Sequence, residues 1–161
     1  MSTPTSGAKP SAGPAVKALQ GALDAEHAAV YGYGVVGGRL AGATQTQARA
    51  ALDAHRGRRD AITRLITDRG AVAQAAAPAY TIPFAVATPA EATKLAVYLE
   101  DGVALHLGAL VAAAEHPLRD EAALWLRESA VWAVRWRGAS TAFPGMPAPT
   151  GSGTPTAGGR A

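Results

Sequence analysis

The chain contains no cysteine. Disulfides, Cys-ligated zinc, iron–sulfur clusters and thiol catalysis are therefore excluded together. Aromatic residues make up only 6% of the sequence and charged residues 17%. No run reaches about 18 apolar residues free of charge, the length that marks a membrane span. No apolar segment follows a basic start, so no signal peptide is expected. These absences lead to the expectation of a cytoplasmic protein with no membrane partner. The net charge is +3, but the arginines are dispersed rather than interleaved with aromatics, so nucleic acid is not an expected partner. Serine and threonine fall mostly in loops and tails, which gives no support to a nucleophile–base pair. Gly32-x-Gly34 and Gly37-Gly38 lie inside a helical pattern rather than after a strand, so no phosphate-binding loop is implied.

What the sequence has is alanine. Hydrophobic residues are 48% of its 161 positions, and much of that share is Ala, the best helix former. Four helices are predicted. The first covers about 15–41, with Leu19, Leu23, Glu26, Val30 and Tyr33 on one face. The second covers about 45–69, with Leu52, His55, Arg59, Ile62 and Ile66 on one stripe and Gly70 as its stop. The third opens on Thr88-Pro89-Ala90-Glu91, a capping box with Pro at the first helical position, and runs to about 115. The fourth, about 117–138, carries Trp125, Trp132 and Trp136 on one face, which reads as a core stripe. The ordered domain is expected over 15–143. Residues 1–14 and 144–161 are Pro, Gly, Ser, Thr and Ala with little to bury, and are predicted to be disordered tails.

Loop lengths set the topology. Short connections make helices one and two, and helices three and four, antiparallel hairpins. Residues 70–88 join the pairs, a long connection by ordinary standards. Extended, such a segment reaches roughly 60 Å at ~3.3 Å per residue. A 25-residue helix is only about 38 Å long. The connection can thus run the length of the helices, with Tyr80, Ile82, Phe84 and Val86 available to pack.

Glu26, Glu100 and Glu128 sit near the middle of helices one, three and four, and His55 lies at a comparable depth on helix two. One inward carboxylate or imidazole per helix is how four-helix bundles build metal sites. Arg58, Arg59 and Arg135 crowd the same level. In an antiparallel hairpin, residues equidistant from the turn lie side by side. Turns near 43 and 117 set Glu26 beside Arg59, Glu100 beside Arg135 and Glu128 beside His106, each to about one turn. Charge counting favours a self-neutralising ion-pair cluster of Glu26, His55, Arg58, Arg59, Glu100, Glu128 and Arg135, with no cofactor. The alternative is an iron or manganese site with Glu26, His55, Glu100, His106 and Glu128 as ligands. A third reading has these side chains facing water. Tyr31 and Tyr33 are expected to be core tyrosines with satisfied hydroxyls.

The stretches Ala25-Glu26-His27-Ala28-Ala29-Val30-Tyr31, His55-Arg56-Gly57-Arg58-Arg59-Asp60, Tyr80-Thr81-Ile82-Pro83-Phe84 and Ala133-Val134-Arg135-Trp136-Arg137 resemble the small, alanine-rich ferritin-like domains of high-G+C bacteria. That family is a domain of unknown function, and the likeness spans roughly residues 15–146. It implies an all-α, ferritin-like four-helix bundle with a long crossover between helices two and three, but no activity. Metal-binding members of the wider superfamily place Glu on helices one and three and Glu-x-x-His on helices two and four. Glu26 and Glu100 match the single-Glu slots. Glu128-Ser129-Ala130-Val131 has Val in the His slot, and His55-Arg56-Gly57-Arg58 has His in the Glu slot and Arg in the His slot. Both paired motifs are thus broken, and a non-catalytic bundle follows as the expectation. A core poor in large aliphatics further suggests a homodimer that covers apolar helix surface.

Overall fold

A computed structural model describes residues 13–146. Of the expected tails, 1–14 and 144–161, residues 1–12 and 147–161 lie outside the described residues. Four helices, α1 Pro14–Gly37, α2 Gly42–Thr67, α3 Pro89–Ala113 and α4 Leu118–Arg137, account for the regular structure, and there is no strand among the described residues. Pro14 is the first residue of α1 rather than the last of a tail, because a helix's first turn needs no N–H from it. The cap of α3 is as the sequence spells it. Thr88 Oγ1 accepts from the Glu91 N–H at 3.2 Å, and Glu91 Oε2 accepts from the Thr88 N–H at 2.8 Å. That exposed carboxylate is held below its usual range by the Ala87 and Thr88 backbone N–H groups it accepts from.

The segment between α2 and α3 tracks α1 from one end to the other. Gln20 donates to the Val72 carbonyl at 2.7 Å and accepts from the Gln74 N–H at 3.0 Å. Tyr80 lies against Tyr31, with ring centroids 5.7 Å apart, and Arg39 donates to the Val86 carbonyl at 2.9 Å. Contacts from Gln20 to Arg39, just past the end of α1, cover about 26 Å of helix at ~1.5 Å per residue. The alternation of the segment explains its docking. Ile82, Phe84 and Val86 turn inward onto the core, while the residues between them face out. Because the crossover returns the chain to the far end, α3 runs antiparallel to α1.

Helices α1 and α3 approach closely at Gly32. A Cβ built there would lie 2.6 Å and 2.8 Å from the two methyls of Leu99. The missing side chain lets Leu99 fill the gap and sets Glu100, its neighbour, level with Tyr33 one residue along α1. A second close approach ties down the end of the described chain. Gly145, at φ 76°, has its Cα so near α3 that a Cβ would meet the Leu105 N at 2.5 Å. Residues 144–146, expected to belong to a disordered tail, therefore rest on α3.

The core is divided. One apolar cluster holds Leu19, Leu23, Ile62, Ile66, Leu107 and Leu110. The other holds Tyr33, Val36, Leu95, Leu99 and Trp136. The buried polar residues His55, Arg58, Glu100 and Ser129 fall between the two clusters along α2, α3 and α4, and Glu26 lies between Leu23 and Tyr33 on α1. Trp125 and Trp132 are half-buried against these clusters and Trp136 is buried. α3 is long and apolar enough, by length and composition, to cross a membrane. Its inner face packs on α1 and α4, and it carries the buried Glu100 at its centre.

Replacing Gly32 by Val should destabilise the protein by about 2 kcal/mol, the usual cost of forcing methyls into a filled contact. The gain in helix propensity is smaller. Urea unfolding of the two proteins measures the difference.

Candidate functional site

The polar layer is one continuous chain of hydrogen bonds that visits all four helices. Trp136 Nε1 donates to the Tyr33 hydroxyl at 2.8 Å. That hydroxyl donates to Glu100 Oε1 at 2.6 Å. His55 Nε2 lies 3.1 Å from the same Glu100 oxygen, and its Nδ1 lies 2.7 Å from Glu26 Oε2. Arg58 Nη1 then donates to Glu26 Oε1 at 3.1 Å and to Ser129 Oγ at 2.9 Å. Glu26, His55, Glu100 and Ser129 have no exposed surface.

Charge state follows from this geometry. A neutral imidazole has one N–H and can donate once. His55 faces a carboxylate oxygen at each ring nitrogen, so the arrangement calls for the imidazolium. Burial opposes that charge, but the hydrogen bonds to Glu100 and Glu26 and their negative charges outweigh it. The His55 pKa is pushed up to about 9. Two carboxylates are thus matched by one imidazolium and one guanidinium. Burial, followed by the charge of Glu100, holds the Tyr33 phenol protonated far above its usual range. Tyr33 is therefore a donor to Glu100 at every physiological pH.

Of the residues singled out in the sequence, Glu26, His55, Arg58 and Glu100 meet in this layer. Arg59 does not reach Glu26. It donates to the neighbouring Asp60 at 2.9 Å. The reason is the turn: α1 ends at Gly37 and α2 begins at Gly42, several residues before the expected start. The partner of Glu26 shifts by roughly a turn, from Arg59 to His55. Arg135 does not reach Glu100 either. It is exposed and stacks over Trp132, 4.7 Å from the ring centroid, while Trp136 beside it points inward. Glu128 points outward and Ser129 takes the inner position, so Glu128 meets only Arg58 Nη2, at 3.5 Å. His106 is exposed on α3. Six residues separate it from Glu100, which turns it about 120° around the helix, away from Glu128 and from the charged layer.

Sequence reasoning gave Tyr33, Trp136 and Ser129 no part in the charged layer. Tyr33 is seven residues from Glu26 and Trp136 is seven from Ser129, so each pair shares a helix face. That periodicity was the available signal.

A metal does not fit the layer as built. His55 uses both ring nitrogens on carboxylates and Arg58 donates into Glu26. Among the described residues no three His, Asp or Glu side chains are arranged to hold an ion. One atom is left over: Glu100 Oε2 is buried without a hydrogen-bond partner.

Two outcomes follow. Glu26→Ala should cost about 3–5 kcal/mol, because it strands buried His55 and Arg58, whereas Arg59→Ala should stay within about 1 kcal/mol. Chemical denaturation of both variants reads the contrast. The second outcome is a pH dependence. The folded pKa of His55 lies above its unfolded value, so its contribution is fully present below pH about 6.5 and is lost as pH rises toward about 9. The total is roughly 3 kcal/mol at ~1.4 kcal/mol per pH unit. Unfolding free energies measured from pH 6 to 10 should show this decline in the natural protein and not in His55→Gln.

No curated protein matches the chain. The crystal structure of a conserved hypothetical protein, rv2844, from Mycobacterium tuberculosis is similar, with 39% identity and a TM-score of 0.75. The similarity covers 80% of this chain and 98% of that one. A family described as a domain of unknown function, DUF4439, matches residues 18–148. That span takes in every residue of the charged layer and all but the first turn of α1, and the chain belongs to this family.

Proposed function

We infer that the protein is a ferritin-like bundle in which an internal ion-pair layer stands where metal-binding bundles hold a di-metal centre, and that it works without catalysis. One observation carries this reading: the His55 imidazolium lies between the carboxylates of Glu26 and Glu100, the place and charge a bridging cation would otherwise supply. Arg58 provides the second positive charge. Support for the bundle type comes from the crossover along α1, which makes two antiparallel hairpins from helices one and two and helices three and four. Tyr98 and Leu105 on the outer face of α3, with Phe143 and Met146 beside them, are exposed and apolar, which supports association with a second copy of the chain.

The test is metal content. Protein purified without a histidine tag, loaded with Fe²⁺ or Mn²⁺ and desalted, should retain only traces. Its melting temperature should not rise, since only a ligand that prefers the folded state raises it. One equivalent of iron or manganese retained by the natural protein and lost in Glu100→Ala would overturn the reading and make it a carboxylate metalloprotein.

A further inference from the structure

A groove of about 460 Å³ lies along α4 and reaches Ala54 of α2. Its apolar walls are Ala54, Leu124, Val131 and Trp132, and its charged groups are Arg127, Glu128 and Arg135. The volume is within the range of small-molecule sites. The composition selects the ligand. Arg135 lies over the Trp132 ring, 4.7 Å from its centroid, and among the described residues neither Arg127 nor Arg135 makes an ion pair. The single carboxylate of Glu128 is outnumbered.

Behind Glu128 is Arg58. Its side chain is 2% exposed, and its Nη1 already serves Glu26 and Ser129. Its Nη2 has only Glu128, at 3.5 Å, and the Glu128 side chain is 58% exposed. That distance is the outer limit of a hydrogen bond; a charge-assisted contact of this kind is normally about 2.8 Å. A buried guanidinium edge thus lies behind Glu128, a wall residue of the groove, and is served weakly by that carboxylate, which is mostly in water. Swinging Glu128 outward breaks a contact already at the limit of hydrogen-bond length, and an incoming carboxylate would take its place on Nη2.

We propose that this groove binds an apolar monocarboxylate. The ligand's carboxylate replaces that of Glu128 on Arg58 Nη2, flanked by Arg127 and Arg135, and its apolar body lies along Trp132, Val131 and Leu124. Glu128 is the resident stand-in for the ligand and competes with it. An anion of this kind also extends the buried ion-pair chain outward by one member, without disturbing the bonds of Glu26, His55 and Glu100.

The probe is 2-naphthoate, titrated into the whole chain and followed by quenching of tryptophan fluorescence and by calorimetry. Removing the competitor in Glu128→Ala should tighten binding about tenfold, and Glu128→Gln should tighten it less, because the amide still accepts from Arg58. Arg135→Ala should weaken binding about tenfold. Both positions are exposed, and circular dichroism checks that the variants fold. Naphthalene-2-carboxamide, the same body without the charge, should not compete. Equal affinity in the natural protein and Glu128→Ala would overturn the proposal. So would equal binding of the amide, or no saturable binding to Glu128→Ala, whose groove is open.

Discussion

The structure depends on His55 being held between two carboxylates. Neither Glu26 nor Glu100 has any exposed surface, and an isolated buried carboxylate costs several kcal/mol after relaxation. His55 answers both at once, one with each ring nitrogen. Arg58 adds a second donor to Glu26 and Tyr33 a second donor to Glu100 Oε1. Such a layer adds little net stability against a well-packed apolar alternative. Its effect is on register. Sliding any helix by one turn would leave a charge in the apolar cluster above or below, where no partner waits. The cluster holding Leu19 and Ile66 and the cluster holding Val36 and Leu95 contain no such partner.

The same layer explains why helices so rich in alanine settle into one arrangement. Small side chains pack at close range but give weak preference for one alignment over another. Here alignment is supplied by a few specific contacts: Leu99 in the space left by Gly32, the Tyr33–Glu100–His55 hydrogen bonds, and the crossover pinned to Gln20 of α1 and to Arg39 just past its end. Each involves α1 or the turn that follows it, and α1 packs on both α2 and α3. α4 joins the layer through Ser129 and Trp136, and its contact with α2 runs through Arg58 rather than through an apolar seam. The groove on α4 opens beside that seam, where charged and aromatic side chains take the place of packed aliphatics.

Much of this was legible in the residues. The four helices follow from apolar spacing and from the Thr88–Glu91 cap, whose chemistry is local and complete within four residues. The role of residues 70–88 followed from arithmetic, since a segment too long for a turn and alternating in polarity must lie along something. The membership of Glu26, His55 and Glu100 in one layer could be read from their depth along each helix. Their partners could not. An error of a few residues in where α2 begins is enough to exchange Arg59 for His55, which share a face one turn apart along α2. Rotation instead separates Arg135 from Trp136 and Glu128 from Ser129, adjacent residues about 100° apart of which one is exposed and the other buried.

The sequence by itself determined what depends on short range and on composition: an all-helical chain, the absence of thiol chemistry, the positions of the caps, and a level at which charge enters the core. Tertiary structure alone decided which charges meet. That choice depends on the rotation and height of one helix against another, set by Gly32 against Leu99 and by the crossover. It placed an imidazolium between two carboxylates, brought in Tyr33 and Trp136 as donors, and sent Arg135 and Glu128 outward. Spacing along a chain gives the face of a helix to within about a turn. A hydrogen bond is made or lost over about 0.5 Å, and only packing in three dimensions fixes positions that finely.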